Sequence, residues 1–282
     1  PFGDYSLREG WPPKNFYTYN HHPRYLVNQF GLRNRMAILS EAFSHERFYQ
    51  RIFSTYAFVL EILEYTNSHA TEIININKKA EQEVIATVTQ GAGKLKKGVR
   101  FKMVPQDTLQ NFMSYNYIQR NKSDGTSDWV RTGKVSTFND VIYHANFEAT
   151  MESTIPNGYI IPAEFSALAE NLILHGIKVE KLTKSQNFKG ELFQIEKFEI
   201  AKQAFQGHAM AQAEGNFIAA SRSFKKGDYK VEMNQPLANL IFYLLEPQSD
   251  DGFLTWNFFD SYLEKKNVNN QPVDYPVFKY VK

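Results

Sequence analysis

The sequence predicts an α/β segment followed by a mostly β, α+β region of sandwich-like character. Three observations carry this. Apolar residues recur at three- and four-residue spacing through about residues 46–83, the period of an amphipathic helix. From about residue 85 the pattern changes to short runs rich in β-branched and aromatic residues, separated by Gly, Asn and Asp. The 282-residue chain is 43% hydrophobic and 22% charged, the profile of a folded chain with room for one large domain or two ordinary ones. The change of character divides the chain into residues 1–80 and 81–282.

In chain order, residues 1–35 read as irregular structure rich in Gly, Pro, Asn and aromatics. Residues 36–42, Met36-Ala37-Ile38-Leu39 followed by Ser40-Glu41, read as a short buried strand ending in a carboxylate. Ser44 is a candidate N-cap, and Phe48, Ile52, Phe53, Tyr56, Val59, Leu60 and Leu63 predict a helix over 46–65. A second helix is expected from about Ser68 to Glu83. Strands are then expected at VIATVTQ, GVRFKMVP, FMSYNYIQRN, DWVRTGKVSTF and DVIYHANFEATM. Residues 157–182 read strand, helix, strand, with Gly176 stopping the helix. ELFQIEKFEIAKQAF, FIAASRSF and DYKVEM read as further strands. PLANLIFYLLE and FLTWNFFDSYLEKK read as helices, the first with Pro236 near its opening turn.

The bulk composition excludes several classes. Lys plus Arg is 32 against 30 for Asp plus Glu, without the basic excess of a dedicated nucleic-acid binder. No apolar stretch approaches the 18 or so residues of a membrane span. Cysteine is absent, which removes disulfides and thiolate metal sites and leaves the compartment open. The chain opens PFGDYSLREGWPPKNF, which has no signal-peptide pattern; the expectation is either that a leader has been removed or that this is a piece of something longer. There is no G-x-S-x-G, no P-loop and no dinucleotide-type glycine motif.

The candidates for chemistry each stand beside a structural alternative. Glu41, at a strand end, suits a general base; as structure, it pairs with Arg33 or Arg35. His69 and Glu72 form an HxxE that shares one helix face and resembles two-thirds of a zinc site, but a third ligand is needed and the pair also reads as a surface i,i+3 contact. His21-His22 is a tandem pair whose rings point opposite ways in an extended chain, so at most one is expected to function. His144, His175 and His208 read as structural, His175 as a cation at a helix C-terminus. Ser249-Asp250-Asp251-Gly252 reads as a turn between two helices rather than a cation loop.

The run YTYNHHPRYLVNQFGLRNRMAILSEAFSHERFYQRIFSTYAFVLEIL, from Tyr17, resembles the C-terminal part of the catalytic domain of zinc carboxypeptidases of the carboxypeptidase A-like type, especially large bacterial exported members. GYIIPAEFSALAENLILHGIKVEKL and GDYKVEMNQPLANLIFYLLEPQSDDGFLTWNFFD resemble the β-rich tail that follows the peptidase domain in such proteins. The resemblance implies that residues 1–80 are the end of a carboxypeptidase-like mixed sheet with flanking helices, and that 81–282 are an accessory region. It implies that Glu41 is the general base and acid of a zinc-dependent peptide hydrolysis. It further implies that Tyr19 or Tyr25, Tyr19 preferred, covers the substrate, and that Arg24, Arg33 or Arg35 contacts a substrate carboxylate. In that family the HxxE zinc pair and third histidine precede the catalytic glutamate. No HxxE lies among the 40 residues before Glu41, so the zinc ligands are expected upstream of this chain and no metal ligand is assigned within it. A small metalloenzyme built on His69, Glu72 and His21 or His22 is the outside alternative. The implied partner is a peptide or protein substrate and the implied compartment secreted or periplasmic. A non-catalytic reading makes the β-rich region a binding module for a glycan, such as cell wall, a peptide or a partner domain; its aromatics suit stacking on sugars as well as filling a core.

Overall fold

A computed structural model of the chain describes residues 5–6, 11–42, 46–266, 268 and 270–281. The elements are strands β1 (Tyr5–Ser6) and β2 (Asn15–Tyr17), helices α1 (Leu26–Leu32), α2 (Phe48–Ser68) and α3 (Ala70–Gly91), and strands β3 (Lys96–Leu109), β4 (Phe112–Asn121), β5 (Ser127–Phe138), β6 (Val141–Thr154) and β7 (Gly158–Ile161). They continue with α4 (Ser166–Leu174), β8 (Glu180–Lys181), β9 (Gln186–Ile200), β10 (Ala211–Phe224), β11 (Tyr229–Glu232), α5 (Ala238–Leu245), α6 (Asp260–Lys265), β12 (Val273–Asp274) and β13 (Phe278–Tyr280). The mixture of helices and several sheets is the fold class the sequence predicts.

The backbone divides into two compact units, Pro1–His21 with Phe101–Glu148, and His22–Arg100 with Ala149–Lys282. In the first unit β2 pairs antiparallel with β1 and parallel with β6, with Phe16 opposite Tyr143 and Tyr17 opposite His144. β4 and β5 form a separate hairpin closed at Gly125, where φ is +82°. The aromatics supply this unit's packing: Trp11 sits edge-on to Phe138 at 4.8 Å, and Phe16 lies 5.2 Å from Phe112.

The second unit holds the main core. Its sheet runs β10-β9-β13-β7-β11-β8, with β12 also on β9. Both faces are covered. Tyr159, Ile161, Val231, Phe193 and Ile195 face a large cluster that includes Leu168 and Leu172 of α4 and Ile241 and Leu245 of α5. Ile160, Leu192, Phe188, Phe224 and Phe278 form a second cluster. This is why β7, GYII, is buried at every position, as a strand covered on both faces must be. α4 ends as its sequence predicts. Gly176 takes φ +85°, its N–H donates to the Ile173 carbonyl at 2.8 Å and the Ile177 N–H reaches the Leu172 carbonyl at 3.0 Å, a Schellman closure.

Two local expectations fail. VIATVTQ is the last part of α3, because Val84 and Val88, four residues apart, lay one helical face on the core, and that packing overrides the β preference of their side chains. Residues 35–42 belong to no strand: Met36, Ile38 and Leu39 are 55%, 61% and 49% exposed. A strand exists only through a paired neighbour, and none of the described strands takes up this run. The N-cap expected at Ser44 lies outside the described residues; α2 begins after Arg47 without a side-chain cap. Two boundaries also move: the first helix runs to Ser68, and the second spans Ala70–Gly91, breaking at His69. The strand read from IKVEKL shrinks to the two residues of β8.

Candidate functional site

The segment that carries the sequence-predicted site enters the second unit at His22 and is fixed there by its arginines. Arg24 donates from Nε to Asp251 Oδ1 at 2.9 Å and from its backbone N–H to Oδ2 at 3.0 Å, with Nη2 2.5 Å from Oδ1. Trp256 Nε1 donates to the same Oδ1 at 2.9 Å. The guanidinium also lies over the Phe205 and Trp256 rings, 4.8 and 5.1 Å from their centroids. The Asp251 side chain is 1% exposed, so this is a buried ion pair with most of its acceptor positions filled by protein donors. The Ser249–Gly252 stretch is thus a turn between α5 and α6, as the sequence suggests, and its second carboxylate receives Arg24. A cavity of about 410 Å³ opens beside the pair, lined by Gln29, Asn171, His175, His208, Phe253 and Phe258 among others.

α1 follows, and Arg33, at its C-cap, turns back onto α4. Its Nη1 donates to the His175 carbonyl at 2.7 Å, and its Nη2 lies 3.2 Å from His175 Nδ1. A guanidinium donor at Nη2 requires the lone pair at Nδ1, so the imidazole is neutral with its proton on Nε2. Burial, then the Arg33 charge, holds the His175 pKa below its usual value of 6.5. The cation expected at the end of α4 is therefore Arg33, reaching from another helix, rather than His175 itself. Arg35 pairs with Glu81 of α3 at 2.6 Å and is 44% exposed.

The remaining predicted residues are placed as follows. Glu41 is exposed in the extended segment after Arg35. Tyr25, 36% exposed, is the N-cap residue of α1. Tyr19 belongs to the first unit and is half-buried there. The structure therefore brings Arg24, Tyr25, Arg33, Arg35 and Glu41 into one unit, with each arginine held by a protein acceptor.

The histidines resolve individually. His69 stacks on Tyr65, centroids 3.9 Å apart, and its Nδ1 lies 2.9 Å from the Tyr65 carbonyl, which occupies one of its two ring nitrogens. Glu72 is exposed in the first turn of α3. His144 stacks on Tyr17 and bonds Asn15 at 2.9 Å; His208 meets the Trp256 ring edge-on at 5.0 Å. His21 lies between Phe101 and Phe147, 5.1 Å from each ring. Within either unit, no three His, Asp or Glu side chains among the described residues bring ligand atoms together around one ion.

Sequence reasoning missed two features. The first is the role of Asp251 and Trp256 as the receptor for Arg24, which joins residues 227 positions apart. The second is a buried polar group under β13. Lys279 Nζ lies 2.8 Å from Ser153 Oγ and 3.1 Å from Glu246 Oε1, and 4.2 Å from the Phe217 ring centroid, while Tyr159 donates to Glu246 at 2.6 Å. Burial and the Glu246 charge push the Tyr159 phenol well above its ordinary pKa, so it remains a donor. In sequence Lys279 is simply the polar residue of an alternating FKY, and nothing local marks it as buried, although every position of its strand is buried in the fold.

Comparison with known proteins gives partial matches. The chain is 26% identical over 132 residues to Carboxypeptidase 2 of Trichophyton rubrum, covering 47% of this chain and 23% of that protein. It is 26% identical over 109 residues to Carboxypeptidase 2 of Trichophyton tonsurans, covering 39% of this chain and 20% of that protein. The aligned part thus spans about a fifth of the length of the curated relatives it matches. No family model matches, and no solved structure matches. These findings support a distant carboxypeptidase relation.

Proposed function

We propose that this chain is the C-terminal segment of a longer zinc-dependent carboxypeptidase-type peptidase and that Glu41 is its proton-transfer residue. The observation that carries the reading is the match to carboxypeptidases over part of the chain at about a fifth of their length. Two features of the segment support it. Glu41 is exposed, as a group that must meet substrate has to be, and it follows the apolar run at residues 36–39. A carboxylate so placed takes a proton from the attacking water and returns it to the leaving amine, a general base that becomes a general acid. Zinc, when bound by the parent enzyme, supplies polarisation of the scissile carbonyl; its ligands belong to the part of the protein before this segment.

Arg35 is our choice for the substrate carboxylate. Its planar fork matches a carboxylate in bidentate fashion and its side chain is 44% exposed, so the substrate would replace Glu81 as its partner, whereas Arg24 and Arg33 tie the segment to Asp251 and to α4. Tyr25 or Tyr19 covers the bound peptide. The parent acts outside the cytoplasm. The test is product analysis: full-length protein, incubated with a peptide of defined sequence, releases single residues from the C-terminus and carries bound zinc. Release from the N-terminus, or internal cleavage alone, would contradict the assignment.

A further inference from the structure

Polar side chains converge without a protein partner on the cavity beside the Arg24–Asp251 pair. They are Gln29 of α1, Asn171 of α4, His175 at the end of α4 and His208 from the loop after β9. The side-chain amides of Gln29 and Asn171, and Nε2 of both histidines, make no hydrogen bond among the described residues. Gln29, Asn171 and His175 are half-buried, so these groups are drawn partly out of water with nothing of the fold to hold. Leu240, Leu244, Phe253 and Phe258 add an apolar wall. A cavity of about 410 Å³ with an apolar wall and a few convergent polar groups has the form of a small-molecule site.

Charge narrows the ligand first. Among the described lining residues Asp251 is the one carboxylate and Arg24 the one permanent cation, and they are paired with each other. Arg33 stands on the Nδ1 side of His175, where its charge meets the carbonyl end of α4. The lining offers no unpaired charge, which favours a neutral ligand over an ion. Hydrogen bonding narrows it further. His175 accepts from Arg33 at Nδ1 and offers Nε2–H as a donor. Asn257 commits its amide nitrogen to the Ala209 carbonyl and to Asp260, so its Oδ1 accepts from His208 Nδ1 at 3.4 Å and His208 Nε2 offers a lone pair. Each primary amide both donates and accepts, as a hydroxyl does, so a ligand with several hydroxyls satisfies the whole set. The rings supply shape. Phe253 and Phe258 are tilted 58° to each other with centroids 4.8 Å apart, and Arg24 lies over the Trp256 ring. Tilted rings do not make a parallel slot for a flat heterocycle, but their negative faces suit the C–H groups of a puckered ring.

We infer that this cavity binds a neutral mono- or disaccharide, its hydroxyls on Gln29, Asn171, His175 and His208 and its C–H face on the phenylalanines. The site is built from α1, α4, α5 and the loops around them, and no residue of the described strands lines it. It does not depend on the carboxypeptidase reading.

Titration calorimetry of the 282-residue chain with maltose, lactose and N,N′-diacetylchitobiose tests it, with phenylacetate as the anionic counterpart. At least one disaccharide should bind with Kd below about 10 mM. Its affinity should be the same in about 20 mM and about 500 mM NaCl, because a neutral ligand is not screened. Asn171→Ala and Gln29→Ala should each weaken it at least about 10-fold, the effect of one lost hydrogen bond, and should leave the urea midpoint unmoved because neither amide holds the fold. Failure of all three disaccharides to bind at about 50 mM would overturn the inference. So would binding of phenylacetate alone, which would make the ligand an anion, or saccharide binding of equal strength in both variants, which would place it elsewhere. Binding is read without turnover, so loss of this site and loss of the peptidase assignment give different results.

Discussion

Replacing Arg24 by alanine removes the guanidinium and leaves the Asp251 carboxylate in place, at 1% exposure. Asp251 then keeps two donors, the backbone N–H of residue 24 and Trp256 Nε1, and loses the two made by Nε and Nη2. A hydrogen bond to a charged group is worth about 1.5–3 kcal/mol net, so two of them set a floor near about 3 kcal/mol. Breaking a buried pair by removing one partner costs about 3–5 kcal/mol, which sets the ceiling. The two retained donors, and the 15% exposure of Arg24, argue for the lower half, about 3–4 kcal/mol. Contact with the Phe205 and Trp256 rings contributes within that figure. Urea unfolding of the 282-residue chain, followed by far-UV circular dichroism, gives the loss. Adding Asp251→Asn to Arg24→Ala should recover about 1–2 kcal/mol, because a neutral amide replaces the stranded charge. A loss below about 1 kcal/mol for Arg24→Ala, in the range of exposed ion pairs, would refute the claim that this pair fixes the segment to the core.

The other predictions concern single sites. His175 titrates below 6.5 in the folded chain, so the unfolded chain takes up the proton first: its stability contribution is complete above about pH 6.5 and is lost as pH falls from there through the folded value. Arg33→Gln should move the His175 titration, followed by its NMR ring signals, upward while leaving it below 6.5, since burial is the larger cause; no movement would remove Arg33 as its neighbour. Gly190→Ala places a Cβ 2.0 Å from the Lys279 carbonyl oxygen and 2.7 Å from the Tyr280 Cα, so β9 and β13 must separate; calorimetry should show a loss at or above the upper end of the about 1–3 kcal/mol typical of overpacking. An unchanged melting temperature would show that the two strands do not meet there.

How much was legible in advance follows from what each element depends on. α4 was readable in full, because its apolar spacing, its Gly176 stop and its closure are local. The hairpin strands β4 and β5 and the strands β9, β10 and β11 were readable from alternation and turn residues. VIATVTQ misled because local β preference lost to the packing of Val84 and Val88. The strand expected at 36–42 misled in another way: its apolar pattern is a statement about a partner, and none of the described strands supplies one. The site showed the same division. Glu41 and the arginines were visible as residue types at a spacing, but the acceptors that hold those arginines, Asp251, the His175 carbonyl and Glu81, lie 46 to 227 positions away along the chain and leave no mark near them.

The most direct test of the account is hydrolysis by full-length protein carrying Glu41→Gln, with bound zinc measured on the same sample. Glutamine keeps the shape of the side chain and cannot exchange the proton. The account predicts release of C-terminal residues slowed by about 10²–10⁴-fold, the usual contribution of a positioned acid–base group, with zinc content equal to the parent. Turnover at the parental rate with zinc retained would contradict it, and Glu41 would then be a surface carboxylate after the apolar run at residues 36–39.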